Sequence, residues 1–145
     1  MGYRKAVFIT TYRKEKGKIL YLLLKRKLHW QGWEFPKGGV DENESLMVTA
    51  RRECWEETGQ KPLQIISLPY SGKYKYRNKL EDRPKMKGQT WNLFCAEIKS
   101  SKIKFDKREH SDYKWLNFDK AKALLTWPNQ KKCLEIVNKL LDNMK

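Results

Sequence analysis

The sequence predicts a mixed α/β domain, and three observations support this class. Strand-like and helix-like patterns follow one another in the order strands, helix, strands, helix. The length of 145 residues is that of one domain, so we expect a single domain over residues 1–145. Six Trp and five Phe within a 39% hydrophobic composition supply enough apolar surface for a core, which excludes a disordered chain.

The first two elements are predicted to be strands joined by a hairpin turn. Residues 5–12 and 18–25 are strand-like apolar runs, and the second reads KILYLLLK. The four residues between them, Lys-Glu-Lys-Gly at positions 14–17, suit a tight turn. Residues 27–41 contain three Gly, two Trp and a Pro, which predicts a loop whose backbone can approach a ligand closely.

The next element is predicted to be a helix that begins after Glu42 and ends at Gly59. Leu46, Ala50 and Cys54 recur at every fourth position, so we expect them on one face, toward the core. A glycine at the end of this pattern suits the C-cap, where helices commonly adopt the left-handed conformation.

The second half of the chain predicts further strands and then helices. Residues 63–70, 89–98 and 113–117 are strand-like, and the basic stretch 71–88 predicts a strand end followed by an exposed loop. From Asp119 the pattern is helical, because apolar residues recur with helical spacing toward the end of the chain. The last helix is expected to carry a proline in its first turn.

The net charge of +15 indicates an anionic partner, either nucleic acid or a phosphate-rich substrate. The charge is uneven, because residues 34–57 hold seven acidic residues against three basic ones. An acidic patch in a basic surround fits a polyphosphate substrate that basic side chains bind and that is hydrolysed at a metal site. The alternative interpretation is a basic surface that serves solubility alone.

Composition also bears on where the protein works. No apolar run approaches the roughly 18 residues that a membrane span needs, so we expect no membrane insertion. Cys54, Cys95 and Cys133 are an odd number without CxxC spacing, which is typical of reduced thiols and predicts a cytoplasmic protein. We expect a monomer or a weak dimer.

Three carboxylates stand close together on the predicted helix. The spacings of Glu53, Glu56 and Glu57 place them within about 100° of one face. Like charges this close repel, and a hard divalent cation with oxygen ligands relieves the repulsion. The alternative interpretation is a solvated acidic helix face.

The surrounding stretch is more specific than the carboxylates alone. Residues 38–60 read Gly38-x5-Glu44-x7-Arg52-Glu53-Cys54-x-Glu56-Glu57-x-Gly59-Gln60. This resembles the Nudix box, the signature of the Nudix hydrolases, and every Gly, Glu and Arg of the pattern is present. Gln60 departs from the apolar residue expected there, and we expect a local packing change. The preceding segment, WEFPKGG at 33–39, is similar to the family's lead-in.

The resemblance implies the Nudix fold, an α/β/α sandwich with a mixed sheet between helices and the box as loop, helix and loop. It also implies hydrolysis of a nucleoside diphosphate linkage with Mg2+ or Mn2+. The implied metal ligands are Glu53, Glu56, Glu57 and the backbone carbonyl of Gly38 or Lys37. The implied structural positions of the motif are Gly39, Glu44, Arg52 and Gly59.

The general base has three candidates, because water must lose a proton as it attacks. Glu56 and Glu57 lie within the box. Glu109 lies in a loop before a short aromatic strand, where several Nudix subfamilies carry a base or an extra ligand. We interpret the adjacent His110 as a hydrogen-bonded loop residue.

The substrate is set by the segments outside the box. Two branches are similar to this chain, the diadenosine tetraphosphate hydrolases and the RNA 5′-pyrophosphohydrolases. Lys37 matches the lead-in of the first branch, whereas residues 89–94 resemble a strand of the second, and we favour the dinucleotide. A basic nucleic-acid-binding module without catalysis is the non-enzymatic alternative.

The same resemblance suggests which side chains hold the substrate. Tyr74 and Tyr76 are candidates for stacking on adenine, and packing within a strand is the alternative. The candidates for phosphate contacts are Arg26, Lys37, Lys73, Lys75, Arg77 and Lys85.

Overall fold

One long strand, β1, lies at the centre of the sheet, and the other elements are arranged around it. The computed structural model describes residues 2–76 and 85–144. The strands are β1 (Gly2–Glu15), β2 (Lys18–Arg26), β3 (Gly32–Glu34), β4 (Lys37–Gly39), β5 (Gln64–Lys75), β6 (Met86–Glu97) and β7 (His110–Leu116). The helices are α1 (Leu46–Thr58), α2 (Phe118–Leu124) and α3 (Pro128–Asn143).

The sheet is mixed, with its main strands in the order β3-β2-β1-β6-β5. β1 and β2 form the predicted antiparallel hairpin, in which Lys16 and Gly17 have φ values of 50° and 79°. β6 pairs with β1 in the parallel direction, so the chain between these two strands must cross from one end of the pair to the other. β4 pairs with β1 and β7 pairs with β2 off this main path.

Two apolar clusters lie on opposite faces of the sheet and define three layers. On one face, Ala50 and Cys54 of α1 pack with the alternate residues Val7 and Ile9 of β1. On the other face, α2 and α3 pack on the intervening residues, of which Phe8 is one. The predicted α/β/α sandwich is therefore confirmed.

Three local predictions differ from the structure. Residues 27–41 are not all loop, because β3 and β4 pair with β2 and β1 within this range. Leu46 does not face the core; it lies in the first turn of α1 and is 36% exposed, while Met47 packs inward instead. The stretch 71–88 begins with the predicted strand end, since β5 extends to Lys75, but the next strand begins at Met86 and not at residue 89. Arg77 lies outside the described residues.

The three cysteines are buried and free, as expected for thiols that pack in the core. Burial raises the pKa of Cys54 and Cys95 to about 11 and that of Cys133 to about 12, so these thiols are unreactive near neutral pH. Within residues 2–76 and 85–144, none of the helices combines the length and the apolar character that spanning a membrane requires.

Candidate active site

β4 brings the backbone of the glycine-rich segment against the carboxylate face of α1. A Cβ atom at Gly38 would overlap the carboxylate of Glu53, so only glycine permits this approach. A Cβ at Gly39 would overlap the guanidinium of Arg4. The main chain at Gly38 and the Glu53 carboxylate therefore form one oxygen-rich surface.

Arg52 lies at the centre of the box and connects its parts. Its Nε and Nη2 donate to the two carboxylate oxygens of Glu44, each at 2.8 Å. Its Nη1 donates to Glu53 at 2.7 Å and to Glu56 at 3.2 Å, and its Nη2 donates to the carbonyl of Gly39 at 2.9 Å. One guanidinium thus joins the loop, the helix and both ends of the acidic face.

Glu44 holds the loop that precedes α1. One of its oxygens accepts hydrogen bonds from the backbone of Asp41 and from the hydroxyl of Thr49, at 3.0 and 2.9 Å. Hydrogen bonds from Arg52, and then from Asp41, lower the pKa of Glu44 to about 2. Ser45 caps the helix by accepting from the backbone N–H of residue 48.

The C-terminal end of α1 is fixed by its last two box residues. Gly59 has φ of 76° and donates its N–H to Trp55, which is the predicted C-cap. The amide of Gln60 donates to the carbonyls of Ser100 and Lys102 at 2.8 and 3.0 Å. The departure from an apolar residue at this position is therefore explained, because Gln60 ties α1 to a neighbouring loop.

Two of the three helix carboxylates are buried, and burial sets their protonation. Burial, followed by the neighbouring charge of Glu56, raises the pKa of Glu53 to about 8. Burial, and then the charges of Glu109, Glu53 and Glu34, raise the pKa of Glu57 well above its usual value. Glu56 is different, since its side chain is 51% exposed. A divalent cation would offset the repulsion within this group.

The residues of the box fit a hard cation. Oε2 of Glu57 is buried and accepts no hydrogen bond, and it lies 3.3 Å from His110 Nδ1. The donors are carboxylate and carbonyl oxygens, the type that Mg2+ and Mn2+ prefer. Within the described residues no three acidic, His or Cys side chains already converge on one point. Arg52 forms ion pairs with the carboxylates of Glu53 and Glu56 at 2.7 and 3.2 Å.

A buried polar network, which the sequence patterns did not predict, lies beneath this face. The side chains of Glu34 and His110 are fully buried, and His110 Nε2 lies 2.8 Å from Glu34 Oε2. Burial opposes ionisation of Glu34, but Lys37, His110 and Arg26 together lower its pKa to about 2. One signal was available in the sequence, because Glu34 stands between Trp33 and Phe35, an unusual setting for a charge.

Glu109 and His110 lie where β7 begins, close to the end of α1. The side chain of Glu109 is 24% exposed, and its Oε1 lies 3.3 Å from Arg26 Nη1. His110 Nδ1 lies 3.3 Å from Glu57 Oε2, but without the geometry of a hydrogen bond. His110 is thus a buried, hydrogen-bonded residue at the first position of a strand. The structure brings Glu109 near the carboxylates of α1.

The predicted substrate contacts occupy different environments. Lys37 Nζ lies 3.3 Å from Glu34 Oε1 and 6.0 Å from the ring centroids of Phe8 and Trp30. The side chain of Arg26 is only 4% exposed and is paired with acids, so it offers little surface to a phosphate. The expectation that Arg26 contacts the substrate is therefore corrected, and its guanidinium lies under the site.

Tyr74 and Tyr76 lie on one face at the end of β5. Their rings pack edge to face with centroids 6.2 Å apart, and the hydroxyl of Tyr76 donates to Gln89 at 3.3 Å. Tyr74 also packs against the apolar cluster under α3. These contacts correspond to the alternative of packing within the protein, and stacking on adenine stays a prediction.

Comparisons with known proteins agree with this arrangement. The NUDIX domain family model matches residues 2–135. The chain is 33% identical over 118 residues to the asymmetrical bis(5′-nucleosyl)-tetraphosphatase of Rattus norvegicus, a match that covers 81% of this chain and 77% of that protein. It is 30% identical over 128 residues to an RNA pyrophosphohydrolase of Shewanella piezotolerans, covering 81% and 72%.

A solved structure extends the similarity to three dimensions. The structure of a C. elegans Ap4A hydrolase binary complex superposes with a TM-score of 0.77 at 25% identity, covering 97% of this chain and 98% of that one. The Nudix box, the fold and the relatives point to the same family. The chain belongs to the NUDIX domain family and is a Nudix pyrophosphohydrolase.

Proposed function

We propose that this protein hydrolyses a dinucleoside tetraphosphate, such as diadenosine tetraphosphate, with Mg2+ or Mn2+. The observation that carries the proposal is the buried carboxylate group of α1 facing the backbone of Gly38. Buried acids without enough cationic partners are costly, so they are retained where a metal ion binds them. We assign Glu53, Glu56, Glu57 and the backbone carbonyl of Gly38 or Lys37 as the metal-holding groups.

The residues of the box then have distinct tasks. A bound divalent ion neutralises the pyrophosphate, polarises its P–O bonds and lowers the pKa of water. Arg52 orients Glu53 and Glu56 through its hydrogen bonds, and Glu44 orients Arg52. This second set of contacts fixes the carboxylates and keeps the loop against the helix.

The proton of the attacking water requires a base near the metal-holding groups. Glu109 is a good candidate, because its side chain is 24% exposed at the start of β7 and its charge acts on Glu57. Glu56 is the more exposed alternative, and Glu57 the more buried one. A carboxylate that remains ionised and can reach water suits the task.

The substrate assignment rests on Lys37 and on the aromatic residues around it. Lys37 is the cation of the lead-in, and it lies beside the rings of Phe8 and Trp30. Phe8 is buried in the core, so a phosphate next to Lys37 and a base near Trp30 would match a nucleoside polyphosphate. Tyr74 and Tyr76 are proposed as a second stacking surface. The relative from Rattus norvegicus supports this choice through its name alone.

An RNA 5′-pyrophosphohydrolase, which would remove pyrophosphate from 5′-triphosphate RNA, is the second candidate. Two observations favour it, the relative from Shewanella piezotolerans and the net charge of +15, which exceeds what a small dinucleotide needs. The strand at residues 89–94 also resembles that branch. The buried free thiols fit a reducing compartment, so we propose that either reaction takes place in the cytoplasm.

A substrate panel at fixed metal concentration distinguishes these candidates. We expect Mg2+-dependent release of nucleotides from diadenosine tetraphosphate, and a much lower rate with 5′-triphosphate RNA. The reverse preference would assign the RNA reaction instead. Glu53→Gln is the matched control, because it should abolish turnover of either substrate. Binding of RNA without turnover of any substrate would favour the non-catalytic module.

A further inference from the structure

Glu34 is a buried acid that the proposed chemistry does not use directly. It lies at the end of β3 with no exposed surface. Its Oε2 is 2.8 Å from His110 Nε2 and 3.3 Å from Arg26 Nη1, and its Oε1 is 3.3 Å from Lys37 Nζ. One carboxylate in the protein interior therefore contacts three basic side chains.

Each of these three side chains leads to a different part of the site. His110 continues to Glu57, since Nδ1 lies 3.3 Å from Oε2 of that carboxylate. Arg26 continues to Glu109, with Nη1 at 3.3 Å from Oε1. Lys37 is itself the proposed phosphate contact. The same nitrogen of Arg26 contacts both acids, so a shift of Glu34 is passed on to Glu109 directly.

We propose that Glu34 is the positioning residue of the site: it holds Lys37 directly, holds Glu109 through Arg26, and fixes the ring of His110, whose Nδ1 lies 3.3 Å from Glu57 Oε2. This inference rests on the proposed function, because the roles of Glu57, Glu109 and Lys37 are assigned there. Glu34 contacts no substrate in this scheme. It sets the distances between the metal-holding group, the candidate base and the phosphate contact.

The chemistry of a carboxylate explains why an acid suits this position. Oε2 of Glu34 accepts from Arg26 and is hydrogen-bonded to His110, while Oε1 lies 3.3 Å from the ammonium of Lys37, so three basic groups surround one carboxylate. Glutamine has the same shape but one acceptor, and its NH2 group would face a donor. Outer partners of metal ligands typically contribute about 10–100-fold in metal affinity or activity. Glu34→Gln should therefore disturb the contacts with Lys37, His110 and Arg26 without removing a proposed metal-holding group.

The experiment compares Glu34→Gln with the wild-type chain in two measurements. Mn2+ binding is titrated directly by electron paramagnetic resonance, without substrate. Turnover of diadenosine tetraphosphate then gives kcat and KM. We expect the Kd for Mn2+ to rise about 10–100-fold, kcat to fall by a similar factor and KM to rise. His110→Gln should weaken Mn2+ binding with a smaller effect on KM, because Lys37 keeps its partner.

The matched control is Gln130→Leu. Gln130 is also buried, and its Oε1 accepts from the backbone N–H of Phe35, the neighbour of Glu34. This variant loses a buried hydrogen bond at the same strand, so it should lower the thermal midpoint while the Kd for Mn2+ stays at the wild-type value. Thermal unfolding in EDTA shows how far each variant is destabilised.

The outcomes separate this inference from the proposed function. Wild-type Mn2+ affinity and kcat in Glu34→Gln would overturn the positioning role and leave the proposed function intact. An equal loss of Mn2+ affinity in Gln130→Leu would also overturn it, because the effect would then be structural. A wild-type chain that binds no Mn2+ would overturn both. Should Glu34→Gln not fold, unchanged Mn2+ binding in His110→Gln would refute the link to Glu57.

Discussion

The metal-free protein should lose stability as the pH rises from 6 to 8. Burial and the charge of Glu56 raise the pKa of Glu53 to about 8, and Glu57 is shifted in the same direction. In this range the native chain holds protons that the unfolded chain has already released. A carboxylate whose pKa is raised in the native state therefore contributes stability at low pH. This stability is lost as the pH rises toward that native pKa.

The magnitude follows from the number of protons. Each extra proton in the native state lowers the free energy of unfolding by at most about 1.4 kcal/mol per pH unit. Over two pH units, the titration of Glu53 alone lowers the free energy of unfolding by up to about 3 kcal/mol. The fall per pH unit is smaller near the pKa of Glu53, which is about 8. In a chain of this length that corresponds to a fall in Tm of about 6–12 °C. Glu57 adds to the fall.

Urea unfolding followed by Trp fluorescence measures this effect. The titration is made in EDTA at several pH values and repeated with saturating Mg2+, whose stabilisation should be larger at pH 8 than at pH 6 because the ion displaces protons. Glu53→Gln should flatten the profile in EDTA. Glu135→Gln is the control, because that exposed acid has a lowered pKa and does not titrate in this range. A metal-free stability that is constant or rises with pH would refute the reasoning.

Three substitutions test other parts of the site. Glu57→Gln should lower kcat at least about a hundredfold with the native circular dichroism spectrum, and unchanged turnover would contradict the metal assignment. Glu109→Gln should lower kcat with little change in the Kd for Mn2+, and a mild effect would leave Glu56 or Glu57 as the base. Gly38→Ala should weaken Mn2+ binding with little change in the free energy of unfolding, because its Cβ would displace the carboxylate end of the flexible Glu53 side chain.

Local patterns were sufficient to predict the elements that depend on nearby residues. The hairpin follows from the Gly17 turn, and the end of α1 follows from Gly59, since both need a left-handed backbone. The box also predicted which carboxylates share a face, because helical spacing alone determines this. Leu46 was misplaced, because the first turn of a helix can lie beyond the edge of the sheet.

Long-range pairing could not be predicted from the same patterns. β3 and β4 are three residues each, and they form strands only because β2 and β1 offer free backbone groups beside them. The parallel pairing of β1 with β6 likewise depends on the whole chain. The network around Glu34 was missed for this reason, since His110 is 76 residues away and meets Glu34 only because β7 pairs with β2, which also pairs with β3.

The short strand β4 bears on which bond is cut. Lys37 pairs with Phe8 and Gly38 pairs with Val7, and these two partners belong to opposite faces of the sheet. Consecutive Cα atoms are about 3.8 Å apart, and Glu34 holds Lys37 Nζ at 3.3 Å, so the proposed phosphate contact keeps a constant distance from the proposed metal-holding backbone. Under the proposed function, the metal site lies a constant number of phosphates from the phosphate that contacts Lys37. We therefore expect one cleavage position for polyphosphates of different length.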